Sequence, residues 1–326
     1  MLMRAARYDL NGPAAEVLEV TEVERPEPGP GEVRVRLAVS GVNPTDWKIR
    51  SGATSGPPTQ WQIPGQDGAG TVDAIGPGVD PGRAGQRVWV WSAAAGRRWG
   101  TAAQWTVVPQ HQAVALPDGV SFDLGAMLGV PAMTAHRCLY ADDLVEGADV
   151  LVAGGAGAVG HFAIELARHA GARVAATVSS GEKGDLARRA GADEVVDYRR
   201  SDAAEQLRAF APVFDRIVEV AFGANLDLDL AVSGPQTVIS VYATAGADPV
   251  LPLRRCMTAN VAVRFVLLYG VPPAALGAAA TAITGALAAG ALTPLPVHRY
   301  SLEQIVAAHE AVEAGAVGKV LVDLSL

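Results

Sequence analysis

Over the first third of this 326-residue chain, apolar and polar positions alternate in short stretches, each cut after a few residues by glycine or proline. "ERPEPGPGEVRVRLAVSGVNP" and "GQDGAGTVDAIGPGVDPGRAGQRVWVW" are typical. Period-two patterning between turn clusters predicts a mostly antiparallel β domain. From about Ser121 the texture changes. Short apolar runs ("DVLVAGG", "RVAATVSS", "DEVVDY", "RIVEVAF", "TVISVYA") alternate with stretches of helical periodicity, the mark of a parallel, doubly wound sheet. After Leu268 comes an alanine-rich helical segment. The stretch "SLEQIVAAHEAVEAGAVGKVLVDL" then predicts a helix opened by a Ser301/Gln304 capping box, followed by a strand. Asp227 and Asp229 alternate with leucines and read as structural residues of a turn or strand edge.

The first apolar run of the second region empties into Gly154, Gly155, Gly157 and Gly160, and a helix follows. Glycines let the backbone approach a pyrophosphate, whose charge then lies against free N–H groups at the positive end of the helix. The strand–loop–helix context makes this a dinucleotide-binding loop. An NAD site places an acid about 20 residues past such a loop, on the ribose 2′-hydroxyl. Here the next run ends in Ser179-Ser180, Lys183 follows, and Tyr198-Arg199-Arg200 closes the run after it. Hydroxyls and cations suit a 2′-phosphate, so the expected cofactor is NADPH.

Composition narrows the partners. Half the residues are hydrophobic, 18% are charged and the net charge is −8, which predicts a well-buried core and argues against a nucleic-acid partner. No apolar run reaches the roughly 18 residues of a membrane span, and the opening "MLMRAARYDL" has no apolar leader core. A soluble, cytoplasmic protein is expected. Cys138 and Cys256 stand far apart and outside any CxxC, and the six histidines are scattered, so no metal site is expected.

Seven stretches carry a resemblance across nearly the whole length: "GVNPTDWKIRSG", "IPGQDGAGTVDAIGPGV", "GTAAQW", "VPAMTAHRCL", "VLVAGGAGAVG", "IVEVAFGANLDLDLAV" and the late "GKVLV". In these the chain resembles the zinc-independent medium-chain dehydrogenases/reductases of the NADPH:quinone oxidoreductase (zeta-crystallin-like) type. The resemblance implies an α/β protein: a GroES-like β domain for the substrate (residues 1–122 and 270–326) and a Rossmann domain for the cofactor (123–269). It implies cofactor contacts from Thr134, Gly154, Ala156, Gly157, Ala158, Val159, Ser179, Lys183 and Tyr198, with Val241, Tyr242, Phe265, Val266 and Leu267 near the nicotinamide. Zinc-dependent relatives place cysteine where this chain has Asn43, and His-Glu where it has Gln66-Asp67. They also carry a four-cysteine lobe where it has "SAAAGRRWG".

Reduction of a quinone or an α,β-unsaturated carbonyl is the activity implied, with Asn43 and Lys48 as donors to the developing oxyanion. Asn43, followed by Pro44 and Asp46, also fits a helix start. Trp91 is a candidate wall for a flat acceptor. Thr54 stands where these reductases usually carry a tyrosine, which favours bulkier acceptors. Alternatives are a pathway-specific enoyl reductase and a cofactor-binding protein with little turnover. A homodimer is implied, joined through "VAVRFVLLYG" (261–270) as an edge strand.

Overall fold

The computed structural model describes residues 1–142, 145–244 and 248–324. The chain divides into two compact units, Met1–Val130 with Pro294–Leu326, and Pro131–Thr293. Both boundaries fall later than 122/123 and 269/270. The first lies inside a continuous helix, at its internal proline, and the second follows the alanine-rich helix.

The first unit opens with strands β1 (Leu2–Arg7) and β2 (Glu19–Glu24), an antiparallel pair flanking the short helix α1 (Ala14–Val17). Strand β3 (Glu32–Val42) runs into α2 (Pro44–Ser51), and β4 (Asp67–Ile75), β5 (Arg87–Val90), β6 (Trp105–Pro109) and β7 (Ala113–Ala115) follow. Helix α3 (Phe122–Tyr140) carries the chain into the second unit. That unit contains β8 (Asp149–Ala153), α4 (Ala158–His169), β9 (Arg173–Val178), α5 (Gly181–Arg189), β10 (Glu194–Asp197), α6 (Ala203–Phe210), β11 (Arg216–Glu219) and α7 (Phe222–Val232). It closes with β12 (Val238–Val241), α8 (Leu253–Ala259), β13 (Ala262–Phe265) and α9 (Pro273–Ala288). The chain then returns to the first unit through β14 (Val297–Ser301), α10 (Ile305–Glu313) and β15 (Lys319–Asp323).

In the first unit the main sheet has the order β14-β15-β3-β4-β5-β7, with β6 also paired to β3. Alternate residues of β3 (Val33, Val35, Leu37) enter the core, where Val72, Val88 and Val108 meet them from neighbouring strands. Val320 and Val322 of β15 join this core because β15 pairs antiparallel with β3, Val320 opposite Val42. This is the expected GroES-like β domain.

The second unit holds a parallel sheet of order β10-β9-β8-β11-β12-β13, the Rossmann arrangement. All five apolar runs picked out in the sequence become strands here. The order reverses between β8 and β11, so the glycine loop after β8 and the end of β11 share the topological switch point, where such sheets bind ligands.

One expectation is corrected. Asp227 and Asp229 lie on helix α7, not on a turn or strand edge. Phe222, Leu226 and Leu230, spaced four apart, form its buried stripe and override the two-residue alternation of "LDLDL". The Ser301/Gln304 box is present, with the Gln304 side chain accepting from the Ser301 N–H at 3.0 Å.

Candidate active site

In the second unit the expected cofactor residues gather at the carboxyl ends of the strands. Gly154 adopts φ +68°, which turns the chain out of β8, and Gly157 caps α4 with no side chain on the first-turn N–H groups. A Cβ on Gly160 would collide with the Gly154 carbonyl oxygen and come within 2.9 Å of the Gly155 Cα, so the helix seats on the loop only with glycine there. Gly157 is exposed, while Ala158 and Val159 are half-buried and Ala156 is buried. The free amides at this helix start fit a pyrophosphate.

At the end of β9, the Lys183 ammonium donates to the Ser179 hydroxyl at 3.1 Å, and Ser180 caps α5 by accepting from the Lys183 N–H. Tyr198 follows Asp197, which pairs with Val178 in the sheet, so Tyr198 emerges beside Ser179, 44% exposed. The structure thus joins Lys183 to Ser179 and sets the Tyr198 backbone on the neighbouring strand end, its N–H donating to the Val178 carbonyl at 3.2 Å. Arg199 and Arg200 are occupied differently, paired with Asp197 at 2.6 Å and Asp202 at 2.9 Å. Val241 ends β12 and Tyr242 follows it, Phe265 ends β13 and Val266 and Leu267 follow it, and the Val266 N–H donates to the Val241 carbonyl at 2.8 Å. Thr134 is buried on α3, away from the strand ends in sequence.

Nothing in the local pattern singles out Glu219, the last residue of β11. Its buried carboxylate accepts from the Ala221 N–H and from Asn225 at 3.0 Å, and it shares a hydrogen bond with Asp229. Burial pushes both carboxyls up, and at Asp229 the neighbouring Glu219 carboxylate adds to the rise. The pair pins the turn after β11, where Val220 abuts Gly154.

In the first unit, β3, α2, β4 and β15 deliver Asn43, Asp46, Asp67 and Lys319 to one buried network, each at most 2% exposed. Asn43 donates to Asp67 at 2.7 Å and accepts from the Lys319 ammonium at 2.5 Å. Asp67 also accepts from the Val130 N–H at 2.9 Å, and Asp46 accepts from the Asn43 N–H at 2.7 Å, which opens α2. A Cβ on Gly129 would run into the Asp67 carboxylate. Burial raises both carboxyls, Asp46 to about 7 and Asp67 to about 6; Asp67 adds to the rise at Asp46, while Lys319 opposes it in both. Burial lowers the Lys319 ammonium in turn. Distant segments meet here only through sheet topology, so the sequence showed Asp46 as a helix cap and nothing of Lys319.

The other first-unit candidates are not in this network. Lys48 is half-buried on α2, its ammonium 5.8 Å from the Trp47 ring centroid. Thr54 is exposed in the bend after α2. Trp91 is 4% exposed, with its ring 6.0 Å from that of His111 and its indole N–H buried without a partner.

Two family models match the chain: an alcohol dehydrogenase GroES-like domain over residues 29–118 and a zinc-binding dehydrogenase over 158–284. Human quinone oxidoreductase is 30% identical over 327 aligned positions, 98% of this chain and 97% of the human protein. The chain belongs to the quinone oxidoreductase family. Within this family of nicotinamide-dependent oxidoreductases, a mycobacterial structure complexed with NADPH superposes with a TM-score of 0.85 at 29% identity, covering 98% of this chain and 99% of the other. A cobalt- and zinc-bound thermostable alcohol dehydrogenase from Pyrobaculum aerophilum has a TM-score of 0.83 at 29% identity, covering 99% and 100%. The fold therefore carries metal in some proteins. Among the described residues of this quinone oxidoreductase family member, no group of three or more His, Cys, Asp or Glu is placed to hold a metal ion. None of its helices among those residues is long and apolar enough to cross a membrane.

Proposed function

We propose that the protein is an NADPH-dependent, zinc-independent reductase of quinones or α,β-unsaturated carbonyls. The observation that carries the cofactor choice is the cluster of Ser179, Lys183 and Tyr198 where an acidic ribose ligand would stand. The mycobacterial relative complexed with NADPH supports the same reading. When bound, the nicotinamide supplies a hydride. The protein's share is to hold the pyrophosphate on α4, the 2′-phosphate on Lys183 and Ser179, and a donor near the oxygen that gains charge.

Lys48 is the candidate for that donor. Asn43 has both ends of its amide engaged with Asp67 and Lys319, so we assign it to holding the start of α2. Thr54 and Trp91 are proposed to border the acceptor. NADPH is expected to bind at least about tenfold tighter than NADH, and Lys183→Ala to erase the difference, since one charge-assisted bond is worth about 1.5–3 kcal/mol. Titration of both cofactors, followed by turnover of one quinone and one enone in wild type and Lys48→Met, tests the assignment. Equal cofactor affinities in the wild type refute NADPH, and unchanged turnover of both acceptors in Lys48→Met returns that lysine to the surface.

Zinc independence rests on donor chemistry. Asn43 and Gln66 offer amides where zinc prefers thiolate and imidazole, and the Asp67 carboxylate is already taken by Asn43 and Val130. Stoichiometric zinc in purified protein would overturn it.

The acting species is proposed to be a homodimer. Strand β13 ends the parallel sheet, and Phe265 and Leu267, 72% and 69% exposed, continue its open edge. An apolar edge left open invites uncontrolled pairing, which a two-fold mate forestalls. Light scattering at micromolar concentration should give twice the chain mass, and Val263→Pro, which removes an edge N–H, should give the monomer mass.

A further inference from the structure

Thr293 is the last residue of the second unit, and two buried side chains of α4 hold it by every polar group it has. The Thr293 N–H and hydroxyl both donate to the Glu165 carboxylate, the former at 3.1 Å. Its carbonyl accepts from His161 at 2.9 Å, and because a carbonyl only accepts, Nε2 carries the hydrogen. Glu165 follows His161 by one helical turn, the two side chains 3.2 Å apart, so one face of α4 grips one residue. Burying a carboxyl group costs stability unless partners satisfy it. A helix face that merely packed against the passing chain would do better apolar.

What lies at either end gives the grip its meaning. His161 directly follows Gly160, the glycine that seats α4 on the loop facing the pyrophosphate. After Thr293 the chain reads Pro294-Leu295-Pro296, whose prolines have fixed φ and no N–H, and returns to the first unit. There the Pro296 carbonyl accepts from the Lys319 N–H at 2.8 Å. A Cβ on Gly318 would run into that carbonyl, so glycine permits the close approach. Lys319 carries the buried ammonium that donates to Asn43 at the start of α2, the helix of Lys48. Covalent and hydrogen bonds therefore run without a break from the pyrophosphate helix to the helix of the proposed donor.

We infer that His161 and Glu165 are positioning residues, which couple cofactor binding on α4 to the placement of α2 through Thr293, Pro296 and Lys319. Groups bonded in this way move together, which is the physical requirement for coupling between separate sites. This rests on the proposed cofactor reading.

Hydrogen exchange, read by mass spectrometry on the full-length protein with and without saturating NADPH, tests it. In wild type, NADPH should slow exchange at residues 317–323 at least about fivefold, the low end of couplings between sites. The β2 peptide (19–24), outside the route, should be unaffected. Thr293→Val removes the hydroxyl and Glu165→Met removes both acceptor oxygens. Each should abolish the slowing at 317–323 while NADPH still protects the glycine loop (154–160). Thr293→Ser, which keeps the hydroxyl, should keep the effect. A wild type protected at the loop but not at 317–323, equal slowing at β2, or variants that retain the slowing each overturn the coupling alone. A wild type in which NADPH protects no peptide of the second unit overturns the cofactor reading instead. Failure of both Thr293→Val and Glu165→Met to fold would make the grip structural, and that overturns the inference too.

Discussion

Gly160→Ala is expected to weaken cofactor binding about a hundredfold, a loss of about 2.8 kcal/mol. The new methyl group would enter the space of the Gly154 carbonyl, and backbone cannot yield there without moving the loop that faces the pyrophosphate. Overpacking of this kind costs about 1–3 kcal/mol of stability, so the unfolding midpoint should also fall by about 5 °C. Gly157→Ala is the companion measurement. Its nearest neighbour would be the Gly154 carbonyl oxygen at 3.3 Å, a tight contact that a shift of a few tenths of an ångström relieves. That variant should keep its midpoint and lose affinity only because the methyl group faces the ligand. Calorimetric titration beside thermal unfolding separates the two. Identical behaviour in both variants would refute the distinct roles given to the two glycines.

Lys319→Met is expected to cost about 3–5 kcal/mol of stability, because it leaves Asp67 and Asp46 buried with no cation. The double variant Lys319→Met/Asp67→Asn should recover more than half, since it removes the charge that was stranded. The deficit should also depend on pH. Carboxyls raised to about 7 and about 6 in the folded protein favour folding in their protonated form. That contribution is complete below the unfolded value near 4 and fades as pH climbs through the folded values. Without the ammonium the carboxyls rely on protons alone, so the variant should lie closer to wild type at pH 5 than at pH 8. Urea unfolding at both pH values measures this, and a deficit that is the same at both would mean that the carboxyls do not carry the effect.

The second unit was the more legible in sequence because its signals are local. Five apolar runs became five strands, and the glycine spacing, Ser179 and Lys183 all lie within one β–α–β stretch. Local pattern misled at "LDLDL", where the stripe of Phe222, Leu226 and Leu230 wins because a helix packs there. The first unit yielded its β character but not its network. Gln66 stood out only as the residue that replaces a histidine of zinc-dependent relatives. Lys319 looked like the start of a late strand, and nothing within ten residues of it hints at Asn43. The boundary at Pro131 was missed because one helix runs through it, so no glycine-rich linker marks the place.

The pairing of β15 with β3 has a consequence for how the chain is made. Lys319 and Asn43 meet across 276 residues. At roughly 5–20 residues per second, about 10–40 s of synthesis separate Val130 from Lys319 on a ribosome. During that interval the Rossmann unit can finish folding on its own contacts. The first unit waits with Val39 to Val42 of β3 lacking their β15 partners and Asp67 without its counter-ion. A nascent chain stalled before residue 319 is then the species most in need of a chaperone, and β3 is the segment such a chaperone would cover.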